Sequence, residues 1–238
     1  MLLLAVVALA FATSLRAEDA PKHAAVTPAP RDAGWVKRHE GFVEEIKKKD
    51  KVDLLFIGDS ITDGWRGGGG KKVWDKFYGS RNAVNLGIGG DRTQHVLWRL
   101  ENGEIAGISP KLAVLMIGTN NSGSNTSQEI ADGVAAIVAK LRKDLPETKV
   151  LVLGIFPRGE DDNNKQRQVN QGANEIIKKL ADDKNVFYLD IGPKFTEADG
   201  KLSREIMPDL LHLNEKSYTI WAESIEPMVA KLMGEKKE

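Results

Sequence analysis

Five short apolar runs, separated by amphipathic stretches, constrain this chain more than any other feature. They cover residues 52–57, 83–86, 112–117, 149–155 and 186–189. The first three are cut off by Gly58, Gly87 and Gly118. Runs this short and this continuously apolar read as strands buried on both faces. Between and around them, residues 35–49, 71–78, 93–100, 127–145, 164–180 and 214–233 carry helical spacing of apolar residues. Thr126 or Ser127 serves as the N-cap of one of these helices and Asn214 as that of the last. Alternation of this kind predicts the α/β class: a three-layer α/β/α sandwich around a parallel sheet with right-handed crossovers. No repeat and no second linker interrupts residues 33–238, which read as one domain.

The amino-terminal residues read differently. Residues 2–12 are an unbroken apolar run, too short for the ~20 residues that cross a bilayer. Followed by Arg16 and Ala17, they match a secretory signal over residues 1–17. Residues 18–32, with Pro21, Pro28 and Pro30 among alanines and charges, read as a flexible linker. The expected destination is secreted or periplasmic, and the mature form has no integral membrane segment.

In parallel sheets the functional site lies beyond the carboxyl ends of the strands. After the first strand comes Gly58-Asp59-Ser60. A serine there is a nucleophile if a base takes its proton, and an N-cap if not. Four histidines can be weighed as that base. His23 lies in the linker, His39 on a solvated face of the first helix, and His95 on the helix after the second strand. His212 follows the fifth strand in Asp209-Leu210-Leu211-His212. The three-residue spacing places Asp209 and His212 on one side of a helical turn. A carboxylate so placed fixes the imidazole tautomer and leaves the other nitrogen free. Gly87-Ile88-Gly89-Gly90-Asp91 and Gly118-Thr119-Asn120-Asn121, after the second and third strands, supply candidate donors for an oxyanion.

Other chemistries fail on the residues. The chain has no cysteine, which excludes disulfides, thiolate nucleophiles and zinc–thiolate sites. No two histidines have metal-ligand spacing, so neither metal nor cofactor is expected. Gly67, Gly68, Gly69, Gly70 and Lys71 lack the Ser or Thr of a phosphate loop, because Lys72 stands there. Gly87 and Gly89 lack the third glycine of a dinucleotide fingerprint, because Arg92 occupies it. Thirty-four basic and 34 acidic residues cancel, so no nucleic-acid partner is expected from charge. Lys47, Lys48 and Lys49 read as a solvated helix end.

The blocks Gly58-Asp59-Ser60, Gly90, Gly118-x-Asn120 and Asp209-x-x-His212 stand in the order of the four signatures of the SGNH (GDSL) hydrolases, which the chain resembles over about residues 50–215. Within that family, residues 85–100, 114–121, 152–160 and 210–213 are similar to the catalytic α subunits of intracellular platelet-activating factor acetylhydrolase. The resemblance implies a flavodoxin-like five-stranded sheet of order 2-1-3-4-5. It implies Ser60 as nucleophile, His212 as base and Asp209 as its partner. It implies an oxyanion hole of Ser60, Gly90 and Asn120, and a small acyl pocket favouring acetyl, with Ile61, Thr119 and Leu211 contacting substrate. It also implies homodimerisation.

The expected activity is hydrolysis of short acyl esters, with a small-molecule or carbohydrate ester as partner. The alternatives are a carbohydrate O-acetylesterase, a lysophospholipase or thioesterase, and a non-catalytic carbohydrate-binding protein on the same scaffold. The loop around Arg66 and Lys72 is expected to shape the leaving-group side.

Overall fold

Leu55 and Ile57 of the first strand pack to one side of the sheet and Leu54 and Phe56 to the other, and all four are fully buried. A strand with no wet face needs helices on both sides. The structure, a computed structural model, describes residues 23–235. The signal expected at residues 1–17 lies outside the described residues.

Strands β1 (Leu54–Gly58), β2 (Ala83–Gly87), β3 (Leu112–Met116), β4 (Lys149–Leu153) and β5 (Val186–Leu189) form one parallel sheet in the order β2-β1-β3-β4-β5. Helices α1 (Ala33–Lys47), α4 (Thr93–Glu101), α5 (Ser127–Asp144) and α6 (Lys165–Ile177) cover one face. Helices α2 (Ser60–Asp63), α3 (Gly68–Tyr78) and α7 (Glu215–Met233) cover the other. This is the expected three-layer sandwich. Among the described residues, no helix is long and apolar enough to cross a membrane.

Register decides where the site lies. Gly58 is level with Gly87 on one side and Met116 on the other, so β1, β2 and β3 end at the same height. Their loops therefore leave the sheet side by side. The turn into α2 is pinned from below by aromatic packing. Trp65 is buried 4.4 Å from Tyr218 and 5.0 Å from Trp221, between ring centroids. The Tyr218 hydroxyl also donates to the carbonyl of Ile61 at 2.8 Å. Burial of rings this large contributes on the order of 1.5–3 kcal/mol each, which fixes a segment of only four residues that could not hold itself helical.

Three expectations are corrected. The segment expected to be a flexible linker is, in its described part, docked. Ala25 is fully buried, its carbonyl accepts from Thr93 Oγ1 at 2.8 Å, and Ala29 N–H donates to Gln94 O at 3.3 Å. The alanines and prolines that suggested a tether are small enough to lie along α4 and α5. Second, the glycines expected as a loop before α3 form its first turn. A Cβ at Gly69 would stand 2.2 Å from the Glu215 nitrogen, and one at Gly70 2.3 Å from the Gly64 carbonyl. Only glycine allows that approach. Arg66 donates to Gly87 O and to Asp63 Oδ1, each at 3.0 Å. Third, His39 is not solvated. It is buried on α1, stacked on Trp35, with Nε2 3.1 Å from Asn102 O.

Candidate active site

Asp59 follows β1 and caps α2, its Oδ1 accepting from Ile61 N–H at 3.0 Å. That settles the choice posed by the sequence. Ser60 is the first helical residue, not the cap, so its hydroxyl is free for another partner. That partner is His212, whose Nε2 lies 2.9 Å from Ser60 Oγ. His212 Nδ1 lies 2.7 Å from Asp209 Oδ2. An ionised carboxylate only accepts, so Nδ1 carries the proton and Nε2 is the lone-pair nitrogen facing Ser60.

The Asp209–His212 pair is made by a turn without helical structure, which corrects the helical expectation. Leu210 has φ +61°, a left-handed conformation that costs about 1–2 kcal/mol for a residue with a Cβ. The turn is held by Asp209 Oδ1, which accepts from Leu211 N–H at 3.1 Å and from His212 N–H at 2.7 Å. Gly159 N–H adds a bond to Leu210 O at 2.9 Å. Partial burial opposes ionisation of Asp209, but its bonds from the His212 ring and backbone outweigh burial and hold its carboxyl below the usual range.

The donor side is assembled from the neighbouring loops. The backbone N–H groups of Ser60 and Gly90 have no acceptor among the described residues. Gly90 has φ +78°, which favours glycine there. Asn120 gives one Nδ2 hydrogen to Asp91 O at 2.9 Å, and the amide keeps a second hydrogen for a ligand. A Cβ on Gly89 would lie 3.8 Å from Ser60 Cβ, so this loop borders the serine. The arrangement can take a proton from a hydroxyl and stabilise negative charge beside it.

The three residues expected to touch substrate differ in what they offer. Ile61 is 1% exposed and belongs to the core under α2. Thr119 is 1% exposed, and its Oγ1 accepts from Arg158 at 3.3 Å and Asn170 at 3.2 Å. Leu211 alone is part-exposed. The other histidines stay away from the serine. His23 pairs with Asp132 at 3.2 Å. His95 accepts from Arg92 N–H at 3.0 Å, and burial, followed by nearby arginines, depresses it to about 4, so it is neutral at neutral pH. Among the described residues, no group of three or more His, Asp or Glu is placed to hold a metal ion.

Two carboxylates beside the site, Asp63 and Asp59, carry no signal in the sequence that sets them apart. Asp63 Oδ2 accepts from Gly89 N–H at 3.2 Å, and its Oδ1 accepts from Arg38 and Arg66. Asp59 is fully buried and its Oδ2 has no partner among the described residues. Burial pushes its carboxyl up to about 7, ahead of the opposing bond from Ile61 and the repulsion of Asp91. A raised folded value means that the folded chain holds the proton between about pH 4 and 7 where the unfolded chain releases it. Stability from Asp59 is therefore complete below about pH 4 and is lost as pH rises toward 7. Denaturant titrations of the wild type and Asp59→Asn should show the wild type losing ground to the variant across that window and no further above it. A constant difference would contradict the raised value.

Residues 56–220 match the family model described as GDSL-like lipase/acylhydrolase. The chain is 36% identical over 217 residues to the α1 subunit of platelet-activating factor acetylhydrolase IB of Homo sapiens, covering 91% of each. It is 39% identical to the α2 subunit of Rattus norvegicus, covering 87% of this chain and 88% of the relative. A solved GDSL-like lipase from Bacteroides thetaiotaomicron superposes with TM-score 0.66 at 19% identity, over 82% of this chain and 97% of that one, a likeness of fold.

Proposed function

The chain belongs to the GDSL-like lipase/acylhydrolase family and is a carboxylic ester hydrolase, and from that premise we propose that it removes short acyl groups, acetyl above all, through an acyl-serine intermediate. The observation that carries the proposal is the continuous hydrogen-bonded chain from Ser60 through His212 to Asp209.

Ser60 Oγ attacks the ester carbonyl while its proton passes to His212 Nε2. Asp209 holds the imidazolium that forms. The carbonyl oxygen, now negative, is met by the N–H groups of Ser60 and Gly90 and the free hydrogen of Asn120. His212 returns the proton to the departing alcohol and leaves Ser60 acylated. Water then gives its proton to His212 and attacks the acyl carbon. The carboxylic acid leaves as Ser60 regains its proton.

Two supports favour acetyl and an alcohol of liberal size. Relatives at 36% and 39% identity are named as acetylhydrolases. The side chains of His212 and Asp209 are 46% and 56% exposed, so the leaving-group side is open to solvent. Export to a secreted or periplasmic location belongs to the same proposal and rests on the apolar run at residues 2–12.

An ester panel varying acyl length and alcohol independently tests the substrate class. We expect kcat/KM to be highest for acetyl and to fall on the order of 10-fold for each methylene that a small pocket must refuse. A rate that holds or rises toward long acyl chains would favour a lysophospholipase or thioesterase instead. Among acetyl esters, acetylated xylan and sugars turned over well above acetylated phospholipids would favour the carbohydrate O-acetylesterase.

A further inference from the structure

Arg31 reaches the Gly89–Gly90 peptide from outside the sandwich. It lies in the docked amino-terminal segment, just before Asp32, which caps α1 by accepting from Trp35 N–H at 3.1 Å. Its Nη1 donates to the Gly89 carbonyl at 2.7 Å and lies 3.3 Å from Asp91 Oδ1. The carbonyl of Gly89 and the N–H of Gly90 belong to one planar trans peptide, so they point in opposite directions. Holding the carbonyl on a guanidinium therefore aims the N–H away from Arg31, in a loop whose Gly89 borders Ser60, a Cβ there standing 3.8 Å from Ser60 Cβ. A charged donor on the carbonyl also draws electrons from the peptide and strengthens its N–H as a donor.

The surroundings make the contact a built one. Asp63 Oδ2 holds the N–H of Gly89, so both of that residue's peptide groups are fixed. Asp91 is fully buried and accepts from Trp35 Nε1 at 2.6 Å and Arg99 Nε at 3.0 Å, which anchors the carboxylate that Arg31 also touches. The carbonyl of Asp91 holds Asn120. One guanidinium thus braces the three-residue loop on which both the Gly90 and the Asn120 donors depend.

We infer that Arg31 is a positioning residue of the oxyanion site, delivered by the amino-terminal segment, which orients and polarises the peptide carrying the Gly90 N–H. The inference rests on the proposed reading of Ser60, Gly90 and Asn120. It needs no contact between Arg31 and substrate, so its effect falls on kcat and not on KM.

The test measures p-nitrophenyl acetate hydrolysis by full-length wild type, Arg31→Ala, Arg31→Lys and Ser60→Ala, with and without millimolar guanidinium. The expected result is a fall in kcat of about 10-fold for Arg31→Ala, less than deletion of a whole donor, with KM within about twofold. Arg31→Lys should recover part of the loss, because an ammonium still donates to the carbonyl. Added guanidinium should restore part of kcat in Arg31→Ala and leave the wild type unchanged, which a merely structural defect would not show. An unchanged kcat, or a loss confined to KM, or a loss that neither lysine nor guanidinium relieves, overturns the role of Arg31. If Ser60→Ala retains wild-type activity, the reading of the site fails, and that outcome is separate from a failure of Arg31 alone.

Discussion

His212→Ala should lower kcat for acetyl esters by on the order of 10⁴–10⁶ while the fold survives. Among the described residues, the imidazole is the one group hydrogen-bonded to the Ser60 hydroxyl, and a serine without a base is a weak nucleophile. Removal of the base in a serine triad typically costs this much. The fold should survive because the ring is 46% exposed, and the backbone N–H of residue 212 can still donate to Asp209. Stability should change by no more than about 0.5 kcal/mol, as at other surface sites. Steady-state rates with thermal melts measure both. A variant that keeps more than a tenth of the rate would remove His212 from the mechanism.

Asn120→Ala should lower kcat by ~10²–10³ with a much smaller change in KM. The amide is asymmetrically employed: one hydrogen is bound to Asp91 O and the other faces no acceptor among the described residues. A donor used only when negative charge develops lowers the barrier without tightening substrate binding. The same substitution frees the Asp91 carbonyl, so a modest loss of stability accompanies it. A rise in KM with kcat preserved would make Asn120 a substrate-binding residue and no oxyanion donor.

The sheet was legible because its strands are apolar without alternation, a pattern that only two-sided burial explains. Ser60, Asn120 and His212 could be singled out as candidates because each follows a strand and parallel strands end together, while the resemblance singled out Gly90 within its glycine loop. What escaped has physical reasons. Asp59 could not be read as the cap in place of Ser60, since both residue types cap helices equally well. The left-handed Leu210 breaks the rule that such turns use glycine or asparagine, so the Asp–His spacing suggested a helix. Arg31 sits among prolines and alanines, and nothing local says that its partner is a carbonyl 58 residues away.

His39 is different, because a signal existed. Trp35, His39, Phe42 and Ile46 recur at spacings of four, three and four, and all four are buried. The histidine belongs to the apolar stripe that its neighbours define. Arg99 and Glu104, both fully buried, form a pair that charge alone assigns to solvent. Arg99 and Glu104 are only five residues apart, and what a local reading of charge lacks is the packing that covers both.

Hydrolysis through this site requires that Ser60 become covalently acylated. Rapid quenching of the enzyme during turnover of p-nitrophenyl acetate, followed by peptide mass mapping, tests it most directly. The expected result is one acetyl group on the peptide containing Ser60, formed with a burst of p-nitrophenol and lost on a slower phase, and neither signal in Ser60→Ala. An acetyl group on a different residue, or turnover by Ser60→Ala at the wild-type rate, would contradict the account.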